Sequence, residues 1–424
     1  MNQEILDHTL HSYLHKIISK LPLGQAMQLK TLAGCGSKIV PRKGLASNVY
    51  LISNGEHSKF IGQTMCKNTW ACPVCSAYMM SKYSSEIASA IEMKRAEGYI
   101  AFMVTFSVPH LRFMKCRDVT DILFKTFEYF RRTAKQKNYR KRSNGELGNR
   151  TGTVSKQFFE ELDITDYVNV CEYTWGVNGW HPHFHMLMWT KKENADSVME
   201  WQEKLNEFWL KTAKRVTQKH LEKFYGEKYT QTVIRLYDRA EKDAGVFISN
   251  DNGKLRESLT SDYVAGWGAD KELTGNRRKE ASHNGHFTPY QILEKAYYGD
   301  KDMEDLYIEF CLQVTRKPVH HRVTWSKNGF KSRITQFRQT EKARDLLKKK
   351  ESAEMDWYVL CYFTPEQWKE ICYFDKFTPV RGNLLFMATF APDLIPKYLE
   401  NFGIYLNPYN DTCRQVAEII NIAV

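Results

Sequence analysis

The sequence predicts an α+β fold built on a central antiparallel sheet, and three observations lead to it. Residues 167–175 and 181–190 are apolar, strand-like runs joined by Gly176-Val177-Asn178-Gly179, a tight-turn sequence that makes them an antiparallel hairpin. Residues 99–108 form a continuous apolar, β-branched and aromatic run stopped by Pro109, the pattern of a buried strand. Apolar residues recur at helical spacing over 78–96, 120–135 and 197–212, and the pattern beyond Thr288-Pro289 is mainly helical.

The remaining punctuation orders these elements along the chain. Gly98 breaks the helix of 78–96 before the strand begins. The polar stretch around Gly145, Gly148 and Gly152 reads as a loop, and 233–237 as a short strand. The expected organisation is an N-terminal region, 1–97, with a cysteine-rich segment; a main α+β domain, 98–300; and a helical C-terminal region, 301–424.

Composition narrows the function. Of 424 residues, 42% are hydrophobic and 26% charged, which excludes disorder as the main state. The 61 Lys and Arg against 49 Asp and Glu leave a net charge of +12, which favours a polyanionic partner. The excess is local: residues 112–142 carry eleven basic against three acidic side chains, and 271–350 eighteen against ten, while 351–424 reverse to five against ten. Such runs suit contact with a phosphate backbone and equally suit solvated helix faces. Arg131, Arg132, Arg140, Lys141, Arg142, Lys271, Arg277 and Arg278 are the expected backbone contacts. No apolar run approaches the roughly 18 residues of a membrane span, and the first residues lack a basic-then-apolar signal, so a cytoplasmic protein without membrane contact is expected.

The histidines carry the sharpest chemical signal. Side chains alternate across a strand, so His181, His183 and His185 project from one face while Pro182, Phe184 and Met186 project from the other. Imidazoles two residues apart on a strand make a compact platform for a divalent cation. Glu172, across the hairpin, can add a carboxylate and turn the preference toward Mg²⁺ or Mn²⁺. A second cluster, Cys66-Lys-Asn-Thr-Trp-Ala-Cys72-Pro-Val-Cys75, contains two thiols separated by two residues, a chelating unit for tetrahedral Zn²⁺. Cys35, followed by a turn-permitting Gly36, is the expected fourth ligand of this structural zinc, with His57 the alternative. A redox Cys-x-x-Cys is the competing reading, which the additional cysteines disfavour.

Taken with the approach Glu172-Tyr-Thr-Trp-Gly-Val-Asn-Gly-Trp180, the run His181-Pro-His-Phe-His-Met-Leu-Met-Trp189 resembles the second motif of the HUH endonucleases, specifically the rolling-circle replication initiators of small plasmids. The strand ending in Ser107-Val-Pro-His110 is similar to the first motif, and residues 262–275 to the third. The later stretches 285–293 and 323–329 also resemble members of this group. The resemblance spans residues 35–330 and is most specific at the histidines.

It implies an HUH nuclease core over 98–300, a catalytic metal held by His183 and His185, and a tyrosine nucleophile at Tyr263. The implied reaction nicks origin DNA, in single-stranded or hairpin form, leaving a 5′-phosphotyrosine and a 3′-OH that primes synthesis with a host helicase. A tyrosyl ester conserves the phosphodiester energy, so the step can be reversed. A free phenol titrates near pH 10, so activation must come largely from the metal-polarised phosphate. Tyr290 is the rival tyrosine, with packing as its simpler role. The family's lysine three residues after the tyrosine is Gly266 here, and Lys271 is the nearest replacement; Glu257 and Asp262 leave a termination carboxylate open. A related relaxase or single-strand transposase would share this chemistry, and a non-catalytic zinc-stabilised DNA-binding regulator would fit the loss at Gly266.

Overall fold

Strand positions follow the alternation of side chains, because a strand with one face on a core must keep its apolar residues in register. The structure is a computed structural model that describes residues 3–40, 47–135, 139–141, 147–149, 154–226, 236–237, 245–249, 286–316, 321–349, 357–407 and 413–417. Its strands are β1 (Val49–Ser53), β2 (Ser58–Ile61), β3 (Tyr99–Ser107), β4 (Tyr139–Lys141), β5 (Leu147–Asn149), β6 (Tyr167–Gly176), β7 (Gly179–Lys191), β8 (Val246–Ser249), β9 (Val323–Trp325) and β10 (Tyr358–Phe363). The fold is α+β, and among the described residues every strand pairing is antiparallel. Two compact units form: Met1–Met80 with Tyr290–Val319 and Arg344–Val424, and Ser81–Pro289 with His320–Ala343.

The second unit holds a five-stranded sheet in the order β8-β3-β7-β6-β9, which puts the histidine strand in the middle. Strands β6 and β7 close through a two-residue loop, Val177-Asn178, with Gly176 opposite Gly179. Gly179 has φ +87°, a conformation that glycine adopts without a Cβ clash. On one face of the sheet, Phe106 and Phe184 pack on Phe127, and Phe106 also packs on Phe130 and Trp209. These rings come from the helices Cys116–Lys135 and Ala195–Tyr225, and burying each is worth roughly 1.5–3 kcal/mol. Trp209 also donates its indole N–H to the Ser107 carbonyl at 2.6 Å. The opposite face is partly covered where Phe330, at the start of the helix Phe330–Lys349, packs on Trp189 and Trp325.

In the first unit, β10-β1-β2 form a three-stranded sheet whose buried face, with Leu51, Phe60 and Phe363, packs against Trp368, Leu384 and Leu385. Sequence segments expected to be separate, the N-terminal region and the C-terminal tail, meet here because β10 pairs along β1. The helix Val380–Phe390 lies close to the helix Gln3–Ile18: a Cβ on Gly382 would sit 2.9 Å from Thr9 Oγ1. The neighbouring Arg381 is fully enclosed, and its guanidinium pairs with Asp375 at 2.6 Å. Asp375 also accepts from the Arg381 backbone N–H at 2.9 Å and from Ser12 Oγ at 2.6 Å.

Several sequence expectations change. The helix of 197–212 extends over Ala195–Tyr225. The loop around Gly148 contains β5, which pairs with β4. Of the strand expected at 233–237, the described residues 236 and 237 are helical. The short β9 and β10 interrupt the helical C-terminal region; each is stabilised by pairing with a strand distant in sequence, which local periodicity cannot reveal.

Removing one partner of a buried ion pair leaves an uncompensated charge. Asp375→Ala is therefore expected to cost about 3–5 kcal/mol, read as a lower denaturant midpoint. Burial alone would raise the Asp375 carboxyl, but Arg381 and Ser12 hold it below its ordinary 3.8. Because the native value is depressed, the contribution is complete above that pH and is lost as pH falls through the native value. The gap between wild type and variant should thus close only in strong acid; a gap that closes near neutral pH would remove Asp375 as its source.

Candidate metal centres

The first centre follows directly from strand register. Pairing of β6 with β7 sets Glu172 opposite His183, and pairing of β3 with β7 sets Thr105 opposite His185. Directly opposed residues share a face, so all four point away from the phenylalanine-rich core. His183 Nε2 and His185 Nε2 are 3.1 Å apart, and each lies 3.5 Å from Glu172 Oε2. The outer ring nitrogens are already engaged: His183 Nδ1 lies 3.3 Å from the His181 carbonyl and His185 Nδ1 2.9 Å from Thr105 Oγ1.

A carbonyl only accepts, so His183 carries its proton on Nδ1, and the same assignment for His185 has it donating to Thr105. Both Nε2 lone pairs then face a carboxylate oxygen, and three acceptors converge with no donor among them. A divalent cation satisfies that arrangement, and two imidazoles with one carboxylate suit Mg²⁺, Mn²⁺ or a later divalent ion. Glu172 is 2% exposed, and its Oε1 has no hydrogen-bond partner among the described residues. The ligand atoms of these three residues converge closely enough to hold one metal ion.

His181 lies on the same face but outside the converging set. Its ring instead neighbours those of His183 and His110, with centroids 5.2 and 5.1 Å away, and burial pushes its titration well below the usual value. Thr105, His110 and His286 were not singled out by sequence reasoning. His286 packs so closely on Gly176 that a Cβ there would lie 2.5 Å from its Nδ1. For Thr105 the available signal was its place in the alternation Val104-Thr105-Phe106, which puts its hydroxyl on the polar face.

The second centre gathers Cys35, Cys66, Cys72 and Cys75. Cys35 Sγ is 3.4 Å from Cys75 Sγ and 3.7 Å from Cys72 Sγ, and Cys66 Sγ is 3.5 Å from Cys75 Sγ. A disulfide would need about 2.05 Å, whereas sulfurs at the corners of a zinc tetrahedron, with bonds of about 2.3 Å, lie about 3.8 Å apart. Backbone N–H groups donate to three of the sulfurs: Cys66 to Cys35, Asn68 to Cys66 and Cys75 to Cys72, each at 3.4 Å. Such donors suit thiolates, and the donor set fits a closed, structural Zn²⁺ site. Gly36 has φ +72°, and a Cβ there would approach Arg381 Nη1 to 2.5 Å, so the Cys35 turn requires glycine. His57 sits in the turn between β1 and β2, its N–H bonded to Asn54, outside this set.

The other expected site residues are placed less fully. Tyr263, Arg142, Lys271, Arg277 and Arg278 lie outside the described residues, as do the side chains of Arg132, Arg140 and Lys141. Arg131 is half-buried, its guanidinium 5.9 Å from the Phe127 ring centroid. Tyr290 is 7% exposed and donates to the Trp70 carbonyl at 2.8 Å, the position of a packing residue. Among the described residues, no helix is long and apolar enough to cross a membrane.

Fold and site together define an α+β protein with a carboxylate–bis-imidazole set on the middle of an antiparallel sheet and a tetracysteine set in its other unit. A protein of Streptomyces lividans named Protein rep is 29% identical over 141 residues, 31% of this chain and 30% of that one. A neomycin resistance protein of Streptomyces cyanogenus is 26% identical over 134 residues, 30% of this chain and 31% of its own length. The chain thus spans about a third of the length of either relative. No protein-family model matches, and no solved structure matches.

Metal binding gives a direct check. His183→Ala should abolish Mn²⁺ binding by calorimetry on DNA-free protein, and Thr105→Val should weaken it about 10–100-fold by releasing His185. Unchanged Mn²⁺ affinity in His183→Ala would place the metal elsewhere. For the second centre, Cys72→Ser should lose stoichiometric zinc and lower the melting temperature, while full zinc content would exclude Cys72 as a ligand.

Proposed function

We propose that this chain is a plasmid rolling-circle replication initiator with an HUH nuclease core, which nicks origin DNA at a site presented as a single strand or hairpin. The observation that carries the reading is the convergence of Glu172, His183 and His185 on one point of the central strand. The motif resemblance around those residues and the similarity to a protein named Protein rep support it.

In this scheme the Tyr263 oxygen attacks the scissile phosphorus, forming a 5′-phosphotyrosine, while the bond to the 3′ oxygen breaks and that oxygen takes up a proton. The free 3′-OH then primes synthesis, for which a host helicase would open the duplex. A bound Mg²⁺ or Mn²⁺ would supply Lewis acidity at the scissile phosphate. Glu172 and the two imidazoles hold that position, and Thr105 and the His181 carbonyl keep the rings turned toward it. His181 flanks the centre, and the basic side chains from Arg131 to Arg142, with Lys271, Arg277 and Arg278, contact the DNA backbone. The tetracysteine centre is structural.

One sequence feature favours a second reading. Gly266 stands where the resembling family has lysine, as a non-catalytic zinc-stabilised DNA-binding regulator would allow. A single assay separates them: incubation with Mn²⁺ and single-stranded origin oligonucleotides, followed by a denaturing gel for the protein–DNA adduct. Wild type should form the adduct, Tyr263→Phe should bind DNA but form none, and Glu172→Gln should lose at least tenfold in rate. A full adduct yield from Tyr263→Phe would overturn the assignment, and nicking in the presence of a chelator would overturn the role of the triad.

A further inference from the structure

Strand β3 runs out beside the first metal centre into a loop that leads to the helix Cys116–Lys135. In that loop the His110 ring lies 5.1 Å from the ring of His181. The Arg112 backbone rests on the β6–β7 turn, where a Cβ on Gly179 would come within 3.3 Å of the Arg112 Cα. The next residue, Phe113, is 46% exposed, and its ring meets Tyr225 with centroids 6.2 Å apart. Phe224, 47% exposed, lies on His220 at 4.7 Å. One buried carboxylate holds both supports: Asp118 accepts from the Tyr225 hydroxyl, from His220 Nε2 at 2.9 Å and from the Lys115 backbone N–H at 3.2 Å. The segments 110–117 and 219–225 also expose Arg112, Lys115, Arg117, Lys219 and Lys223, against the one exposed carboxylate of Glu222. Two anchored, solvent-facing rings therefore stand in a cationic patch on the loop that begins at the metal centre.

We propose that Phe113 and Phe224 form a stacking platform for unpaired bases of the DNA strand whose scissile phosphate lies at the Glu172–His183–His185 centre. The inference deepens the reading of that centre as a nicking site and rests on it. An exposed aromatic ring stacks on any base, and cations beside it take the phosphates, a combination that binds single strands with little regard to sequence. Arg117 and Lys223 supply such cations, their charges 5.8 and 5.2 Å from the Phe224 ring centroid. The position is right for nucleotides next to the nick: three residues separate Phe113 from His110, so their Cα atoms are at most about 11 Å apart. Bases inside a duplex are already stacked on their neighbours, so the platform favours a single-stranded or hairpin-loop segment over paired DNA. Because Asp118 fixes the supports of both rings before DNA arrives, little side-chain freedom is lost on binding.

The test follows a fluorescein-labelled oligothymidylate by anisotropy as it binds full-length wild type, Phe113→Leu, Phe224→Leu and the matching Phe→Trp variants. Leucine keeps an apolar contact with Tyr225 or His220 but offers no ring, and tryptophan restores one. Each leucine variant should lose about 10–100-fold in affinity, and each tryptophan variant should bind at least as tightly as wild type. An abasic oligomer of the same length, which keeps the phosphates and lacks the bases, should bind all five proteins alike. Mn²⁺ affinity should be the same throughout, since neither ring belongs to the metal centre. Equal oligothymidylate affinity in wild type and both leucine variants would overturn the platform and leave the nicking assignment standing. Equal losses on the abasic oligomer would overturn it as well, because stacking requires a base. A wild type that forms no covalent adduct, while the leucine variants still lose base-dependent binding, would overturn the nicking assignment and uphold the stacking.

Discussion

The register of β7 against its two neighbours is the constraint on which the rest depends. A slip of one residue in a strand reverses every side chain. It would carry His183 and His185 into the phenylalanine core and bring Phe184 and Met186 to the polar face. The apolar side therefore holds the polar side in place: Phe184 against Phe124 and Phe127, and Met186 fully buried, fix which way the imidazoles point. The two-residue turn after Gly176 fixes the other coordinate, setting Glu172 against His183 rather than against a residue on either side. Precision at the metal position is thus a property of the sheet, and no loop has to supply it.

A buried carboxylate with two facing imidazoles is an unfavourable local arrangement that only a larger core can hold. Glu172 has one oxygen without a partner and the other shared between two rings, which conflicts with the rule that buried polar atoms are satisfied. Such conflicts concentrate where a ligand is meant to complete the coordination. The first unit solves a different problem. It is assembled from three stretches of chain around a three-stranded sheet, and it adds two buried polar anchors: the tetracysteine centre and the Asp375–Arg381 pair. Trp368 packs on Phe60 while its indole donates to the Gly36 carbonyl at 2.9 Å. The cysteine turn is therefore held by the C-terminal residues as well as by its own thiols.

What the sequence discloses follows from the range of the forces involved. The histidine alternation, the hairpin turn and the Cys-Pro-Val-Cys spacing are local patterns, so the strand, its loop and two of the four thiols could be read directly. Glu172 was reachable because it is close in sequence to its partners across a short turn. Cys35 could be named as the fourth thiol but not chosen over His57 on spacing alone, because the folding of the intervening β1–β2 hairpin decides it. Thr105, on a strand some 80 residues from His185, and Arg381, some 370 residues from His11, belong to contacts that only tertiary pairing creates. Strand β10 illustrates the same limit: six residues with one exposed end have no pattern strong enough to distinguish them from their helical surroundings until β1 is beside them.

The composition acquires a sharper meaning from this division of labour. A net charge of +12 says only that a polyanion is a plausible partner, and the acidic segment from 351 onward shows that the excess is concentrated elsewhere in the chain. In the proposed mechanism the sheet narrows the chemistry, because a divalent cation held by a carboxylate and two imidazoles would keep positions open for phosphate oxygens. Polarising a phosphate requires no particular nucleophile. In the proposed mechanism the triad would set the class of substrate and Tyr263 the attacking group, so the two parts stand on separate grounds: the geometry of the sheet for the first, the motif resemblance for the second.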